Sequence, residues 1–355
     1  LMSDKKVIAI TGAHGKTTTS SLAAKLLLST GLHPTVAVGG ILREDGDNAK
    51  LGNSPYFVAE ADESDGTFLC YEPTYSIITN IDYEHLDFYK TYEHLLKSFS
   101  AFVERTKKGG CVFYFHEDKP LSSIVKEANR RSTSFGFSKL ADFYPTNISL
   151  SQGRLSFLCR NRGRELGEIS LGLMGRHNVL NAMAVIALGV ELGIGFEKIK
   201  EALEGFKGVK RRFEVKYDGK EILIVDDYAH HPTEIAATIE AAKVCLRRRL
   251  IVVFQPHRYS RTKLLMDKFP QSFIKSDYVV VTDIYAAGEE PIEGVTAQVL
   301  TDRIREKIPV PVDYVAKDRI VGHLKAVFQE DDFILFLGAG DIAKVSDEFA
   351  KNFQK

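Results

Sequence analysis

The sequence has no C-x-x-C pair: Cys70, Cys111, Cys159 and Cys245 stand far apart in 355 residues. That leaves a reduced, cytoplasmic setting as the simple expectation. It has no charge surplus, since Lys+Arg and Asp+Glu both number 47. Nothing therefore favours nucleic acid or an anionic membrane as a bulk partner. No apolar run approaches the length of a membrane span, and the first residues lack a charged-then-apolar leader pattern. There is no N-K-x-D guanine signature, which disfavours a GTPase, and no internal repeat or low-complexity linker. The first residue is Leu1, not Met, so the chain is expected to be a piece of a longer protein. What is present is an ordinary globular balance, 44% hydrophobic and 26% charged, in a length that suits about two domains.

The first half alternates strand-like and helix-like runs. "KKVIAIT" reads as a buried strand, followed by a glycine loop and a helix over Thr17 to Ser29. "YFVAEAD" and "YSIITNID" are further β-rich runs, "YEHLLKSFSAFVERT" reads as an amphipathic helix and "GGCVFYFHED" as another strand. Such alternation predicts a parallel, doubly wound sheet. Segment 131–173 differs, and its short runs predict an antiparallel patch added to that sheet. "HNVLNAMAVIALGVELG" is a strongly apolar helix. Near "GFKGVKRRFEV" the pattern restarts, and "EILIVDDYA", "RLIVVFQP", "DYVVVTDIY" and "DFILFLGAG" are four strand candidates of a second α/β domain. The expected domains are 1–212 and 213–355.

"ITGAHGKTTTS" resembles a phosphate-binding loop, but only Ala13 and His14 separate Gly12 from Gly15, where the common form has four residues. The physics requires less than the common motif. It requires a strand that ends, glycines that let N–H groups converge, and a helix N-terminus facing the anion. Lys16 can then reach the β- and γ-phosphates, and Thr17 can place its hydroxyl on Mg²⁺. The bland alternative is a strand-to-helix turn with a surface lysine.

Past the next two strands lie "AEADESD", with Glu60, Asp62, Glu63 and Asp65, and "TNIDYEHLD", with His85. Hard oxygen donors at strand ends suit Mg²⁺ bridging phosphates, although a solvated acidic loop reads the same. In "GRHNVLNAMA", Asn178 and Asn181 share a helix face. Their amides are able to donate to and accept from an adenine edge, or simply to cap and pack the helix. Arg211 and Arg212, in "KRRF", are candidates for bound phosphates or a charged linker. "VDDYAHHPTE" crowds Asp226, Asp227, His230 and His231 at a turn whose spacing fits no standard zinc cluster. "QPHRYSRT" sets Arg258 and Arg261 three apart beside His257, a pattern able to clamp a carboxylate in bidentate fashion.

"TGAHGKTTT" resembles the shortened ATP loop of the Mur ligases and the related folylpolyglutamate synthases, and the motifs from Val7 to about Ile342 follow that family's order. Ala13 stands where the most similar branch has Thr, and Glu84 where the family often has Asp. The resemblance implies a central P-loop ATPase-like doubly wound sheet and a C-terminal Rossmann-like domain. It implies an ATP site of Gly12, His14, Gly15, Lys16, Thr17 and Thr18, with Asn178 and Asn181 on the adenine side and Arg212 at the phosphates. Mg²⁺ would be held by Thr17, Glu60 and His85. Lys97 and Ser100 lie near the place of a carbamoylated lysine found in several members, but match it poorly. "DDYAHHPTE" with "QPHRYSRT" resembles the alanine-adding branch, which puts His230 and His257 near L-alanine and Arg258 and Arg261 on its carboxylate. Lys16, His85, His230, Arg258 and Arg261 are then the candidate catalytic residues.

The implied substrates are ATP, UDP-N-acetylmuramate and L-alanine, joined through an acyl phosphate when the domains close. A murein tripeptide ligase, a folylpolyglutamate synthase-like ligase and a non-catalytic ATP-binding fragment remain as alternatives. The family's N-terminal UDP-binding domain has no counterpart in this sequence. The chain by itself is therefore expected to bind Mg-ATP yet ligate poorly.

Overall fold

Alternation along a buried parallel strand decides which side chains face each layer, and the first strand illustrates it. In β1 (Lys6–Thr11) Ile8 and Ile10 face one layer while Val7 and Ala9 face the other. The computed structural model describes residues 2, 4–41, 46–151, 153–245 and 249–354, and the chain divides into two units, Leu1–Lys210 and Arg211–Lys355. Arg211 and Arg212 thus go with the second unit. Among the described residues no helix is long and apolar enough to cross a membrane.

Among the described residues, the first unit holds one sheet of ten strands. They are β1, β2 (Thr35–Ala37), β3 (Ala49–Lys50), β4 (Tyr56–Glu60), β5 (Tyr75–Ile78), β6 (Cys111–Phe115), β7 (Ser132–Phe135), β8 (Phe143–Ser151), β9 (Arg154–Asn161) and β10 (Arg164–Leu171). Their order is β10-β9-β8-β7-β6-β5-β1-β4-β2-β3. β1 lies between β5 and β4, parallel to both, with Ile10 opposite Ile77 on one side and Glu60 on the other. On one face, Leu22, Ala23 and Leu26 of helix Lys16–Ser29 pack with Val179, Met183 and Ile186 of helix Arg176–Glu191. On the other, Leu95, Phe99 and Phe102 of helix Tyr92–Glu104 cover Val7, Ala9 and Val112. That helix begins where the Thr91 side chain accepts from His94 N at 3.2 Å, a standard first-turn cap.

The antiparallel patch is smaller than the sequence pattern predicts. β8, β9 and β10 pair antiparallel, but β7, the "STSF" run, pairs parallel with β6. The reason is connectivity. Helix Lys119–Glu127 intervenes between β6 and β7, and a strand–helix–strand crossover returns its second strand parallel to the first.

Among the described residues, the second unit holds a six-stranded sheet of β11 (Glu214–Asp218), β12 (Ile222–Asp227), β13 (Leu250–Phe254), β14 (Tyr278–Val281), β15 (Val312–Tyr314) and β16 (Asp332–Leu337). The order is β11-β12-β16-β13-β14-β15, parallel except for the β11 edge. β11 and β15 are additions to the four strands read from the sequence. The last strand in the chain is central, between β12 and β13, and all six of its residues are buried. Leu335 is fully buried in the layer that also holds Val225, Val252 and Phe254. Leu335→Ala is expected to lower the unfolding free energy by roughly 2–5 kcal/mol in urea titrations. A loss below about 1 kcal/mol would mean that the site collapses around the deletion.

Candidate active site

In the first unit the site grows from the end of β1. Gly12 has φ 123° and Gly15 φ 85°, backbone that side-chain-bearing residues rarely adopt. A Cβ on Gly12 would lie 2.3 Å from Thr79 Oγ1 and 2.8 Å from Asn80 O. One on Gly15 would lie 2.6 Å from Asn181 Oδ1. The loop is therefore pressed between the extension of β5 and helix Arg176–Glu191. Polar bonds fasten it there. Ala13 N donates to Asn80 O (3.1 Å), His14 N to Asn80 Oδ1 (2.9 Å), and Thr79 Oγ1 to His14 O (2.6 Å). The His14 ring Nε2 meets Asp82 Oδ2 at 2.8 Å. Thr17 and Thr18 are buried in the first turn of the helix that follows Gly15.

Two carboxylates take different partners on this loop. Glu60, at the end of β4, accepts from Thr17 Oγ1 (2.9 Å), Ser20 Oγ (3.2 Å) and Gly39 N (2.7 Å). Glu63 accepts from Lys16 Nζ at 2.7 Å, and the same ammonium donates to Gly12 O (2.8 Å) and Ala13 O (3.4 Å). His85 Nε2 lies 3.4 Å from Glu63 Oε1 and 3.7 Å from Glu84 Oε2. Burial pushes the Glu63 carboxyl up, but the Lys16 charge and the His85 and Lys16 hydrogen bonds outweigh it and hold it at about 2. Burial pulls Lys16 down, and the Glu63 charge reverses that to a net rise. Both groups are therefore ionised.

Of the metal candidates, Thr17 and Glu60 come together, whereas His85 falls in a separate group with Asp62 and Glu63 whose ligand atoms lie within 4.8 Å of one another. Carboxylate and hydroxyl oxygens beside a phosphate-type loop have the chemistry that Mg²⁺ prefers, so the donor set fits that ion. His85 itself sits in left-handed backbone (φ 57°) at the start of a short turn of helix, its carbonyl accepting from Phe88 N and Tyr89 N. Lys97 is exposed on helix Tyr92–Glu104.

Asn178 and Asn181 are both buried and adjacent, but chained. Asn178 Nδ2 donates to Met174 O (2.6 Å), and Asn181 Nδ2 donates to Asn178 Oδ1 (3.0 Å). Asn181 Oδ1 is thereby directed at Gly15. The pair links the loop to the helix, a role that their spacing alone does not reveal.

In the second unit, polar residues gather past β12 and β13. Arg258 has φ 67°; its N donates to Tyr285 O, and its carbonyl accepts from Thr262 N and Oγ1. Strain of this kind is held by surrounding structure and concentrates at functional sites. Arg261 Nη1 lies 3.1 Å from His257 Nδ1, the ring stacks on Tyr285, and the His257 and His230 ring centres are 5.5 Å apart. His230 Nδ1 lies 3.0 Å from Tyr228 O. A carbonyl only accepts, so this nitrogen carries the proton and Nε2 keeps its lone pair. A guanidinium only donates, so His257 has the opposite tautomer, with Nδ1 accepting. Burial, then the Arg261 charge against that of Glu234, holds His230 down at about 3; burial with Arg261 and Arg258 holds His257 at about 4.

Arg212 and Arg211 both place a guanidinium about the Tyr228 ring, at 5.0 Å. Arg211 also reaches Asp226 Oδ2 (3.3 Å) and the carbonyls of Gly338 and Ala339. Burial raises Asp226 to about 6 against the lowering effect of Arg211.

Glu63, Ser20 and Tyr285, like the Thr79 and Asn80 that fasten the loop, are site residues that the sequence did not single out. Ser20 was accessible in principle, being one helical turn beyond Thr17. Glu63 was visible only as one of four acids.

The Mur ligase middle domain family matches residues 10–189, and the Mur ligase glutamate ligase domain family matches residues 211–340. Fold and site define the class, and the chain belongs to the Mur ligase family, whose members are ATP-dependent ligases. It is 44% identical over its whole length to a UDP-N-acetylmuramate–L-alanine ligase of Geotalea daltonii and spans 78% of that relative. A crystal structure of UDP-N-acetylmuramate–alanine ligase from Thermotoga maritima is 32% identical with a TM-score of 0.82, covering 99% of this chain and 76% of that one. The MurF ligase from the same organism in complex with ADP shares the fold, at a TM-score of 0.79 and 20% identity, over 99% of this chain and 81% of that one.

The two histidines make stability depend on pH. The unfolded chain protonates them near 6.5 and the folded one only near 3 and 4. Below 6.5 the unfolded state therefore binds more protons, and the stabilisation present above that value is lost as pH falls. In urea unfolding, a His230→Gln/His257→Gln double variant is expected to show a shallower loss of stability on acidification than the unsubstituted chain. Equal slopes would mean that the folded rings protonate normally.

Proposed function

We propose that this chain carries the ATP-binding and amino-acid-binding parts of a ligase that joins L-alanine to the lactyl carboxylate of UDP-N-acetylmuramate. The observation that carries the reading is the His257–Arg258–Arg261 cluster beside neutral His230, in a chain 44% identical to relatives named for that reaction. A murein tripeptide ligase is less favoured, because two solved murein peptide ligases are 22% and 28% identical, the latter over only 59% of this chain, against 32% over 99% for the alanine ligase.

The reaction has two steps. The substrate carboxylate attacks the γ-phosphorus of ATP, giving an acyl phosphate and ADP. The alanine amine then attacks the acyl carbon, and inorganic phosphate leaves from the tetrahedral intermediate. Both a carboxylate and a triphosphate are anionic, so the first step requires concentrated positive charge. Lys16 supplies one cation, and the N–H groups around Gly12–Thr17 converge at a helix N-terminus. Thr17 and Glu60 would hold Mg²⁺, while His85 stands in a separate group with Asp62 and Glu63. When bound, that ion neutralises phosphate charge. Gly12, His14, Gly15 and Thr18 shape the loop, and Asn178 and Asn181 back it on the adenine side.

The second step needs an uncharged amine. Arg258 and Arg261 hold the alanine carboxylate. His230, with its Nδ1 proton on the Tyr228 carbonyl, stays uncharged beside that clamp, so its ring does not repel the alanine ammonium. Arg212, its guanidinium about the Tyr228 ring, is a further cation of the second unit.

Two measurements test this reading. Lys16→Ala is expected to remove most affinity for Mg-ATP in calorimetry; unchanged binding would refute the loop assignment. In an alanine-dependent ADP-release assay, Arg261→Ala is expected to raise the KM for L-alanine about ten- to hundredfold with little change for ATP, the loss of one charge-assisted bond. Equal effects on both substrates would point to a phosphate-binding or purely structural arginine.

A further inference from the structure

Lys16 is the cation that the nucleotide reading aims at phosphate, yet its strongest partner here is a side chain. Nζ is 2.7 Å from Glu63 Oε1, and Glu63 is 1% exposed. The carboxylate has few other attachments. Among the described residues, Oε2 receives only a long bond from Thr11 Oγ1 (3.3 Å), and Oε1 faces His85 Nε2 at 3.4 Å. The Glu63 backbone, by contrast, is fixed independently, since its carbonyl accepts from the Tyr89 hydroxyl and from Gly66 N. The main chain is thus pinned while the carboxylate is held chiefly by the lysine. A carboxylate oxygen between an ammonium and an imidazole has the surroundings that suit a phosphate oxygen. Burial keeps salt from screening the pair, so Glu63 and an incoming phosphate compete for the same cation.

We propose that Glu63 is a positioning residue, an internal counterion that keeps Lys16 against its loop and is exchanged for nucleotide phosphate, so that it sets nucleotide affinity. This rests on the reading of residues 12–17 as an ATP loop. The alternative to exchange is simple through-space repulsion between Glu63 and the phosphates, and the two differ in their dependence on Lys16. With exchange, removing the Glu63 charge helps only when there is a lysine to release.

The test is the Kd of an N-methylanthraniloyl-ADP probe with Mg²⁺, read by fluorescence for the unsubstituted chain, Glu63→Gln, Lys16→Gln and the double variant. Glu63→Gln keeps the shape and an acceptor oxygen, and is expected to tighten binding roughly tenfold. In the Lys16→Gln background the same change is expected to shift Kd less than about twofold. Glu63→Asp, one methylene short of the lysine, guards against a folding defect in the Gln variant and is also expected to bind more tightly than the unsubstituted chain. Unchanged or weaker binding by a folded Glu63→Gln or Glu63→Asp chain overturns the proposal. So does equal tightening with and without Lys16, which would establish repulsion instead. If the unsubstituted chain binds no probe, the ATP-loop reading fails together with this inference, a result separate from every outcome above.

Discussion

The first unit depends on how near the Gly12–Gly15 loop comes to its neighbours. Thr79 and Asn80 on one side and Asn181 on the other lie where Cβ atoms would be if the glycines had side chains. This closeness turns a strand end into a rigid cradle. It lets Ala13, His14, Thr79 and Asn80 exchange four hydrogen bonds across two neighbouring parallel strands. It also starts helix Lys16–Ser29 at a fixed place, so that Lys16 and Thr17 emerge side by side toward separate carboxylates. A loop shorter than the common form still brings N–H groups together, because approach and helix placement, not residue count, are what an anion site requires.

Charge is then distributed around that cradle with little tolerance for error. Glu60 and Glu63 are three residues apart, yet one takes hydroxyl and amide donors while the other takes an ammonium and an imidazole. A buried carboxylate without such partners would take up a proton, and a buried ammonium would lose one. Each stays ionised because the other does. The second unit follows the opposite logic. His230 and His257 are kept neutral by burial and by cations nearby, and their tautomers are fixed by a carbonyl and a guanidinium. One unit thus gathers ionised groups, and the other uncharged bases beside arginines.

Much of this was legible in the sequence. Apolar runs gave the β-rich segments and the long helices, since burial on both faces of a parallel strand leaves a near-continuous apolar composition. The Mur-type fold, the ligase class and the family followed from motif order. The parallel pairing of Ser132–Phe135 was misread as antiparallel. A four-residue strand carries no signal of its direction, and only the intervening helix decides it. The short β11 and β15 went unseen for want of length.

The sequence by itself determined the local chemistry: which strands are buried, where glycine must break them, and which acids, histidines and arginines stand at their ends. It did so because those features are periodic or contiguous along the chain. Only the tertiary structure decided which of them meet. Glu60 belongs to Thr17 and Glu63 to Lys16, although the lysine and threonine are adjacent and the two acids only three residues apart. Asn181 is directed at Gly15, and Arg261 sets the tautomer of His257. These pairings link residues between four and 166 positions apart, through strand order and close packing. Side-chain burial and charge depend on those neighbours in space, and neighbours in space are not written in the local pattern.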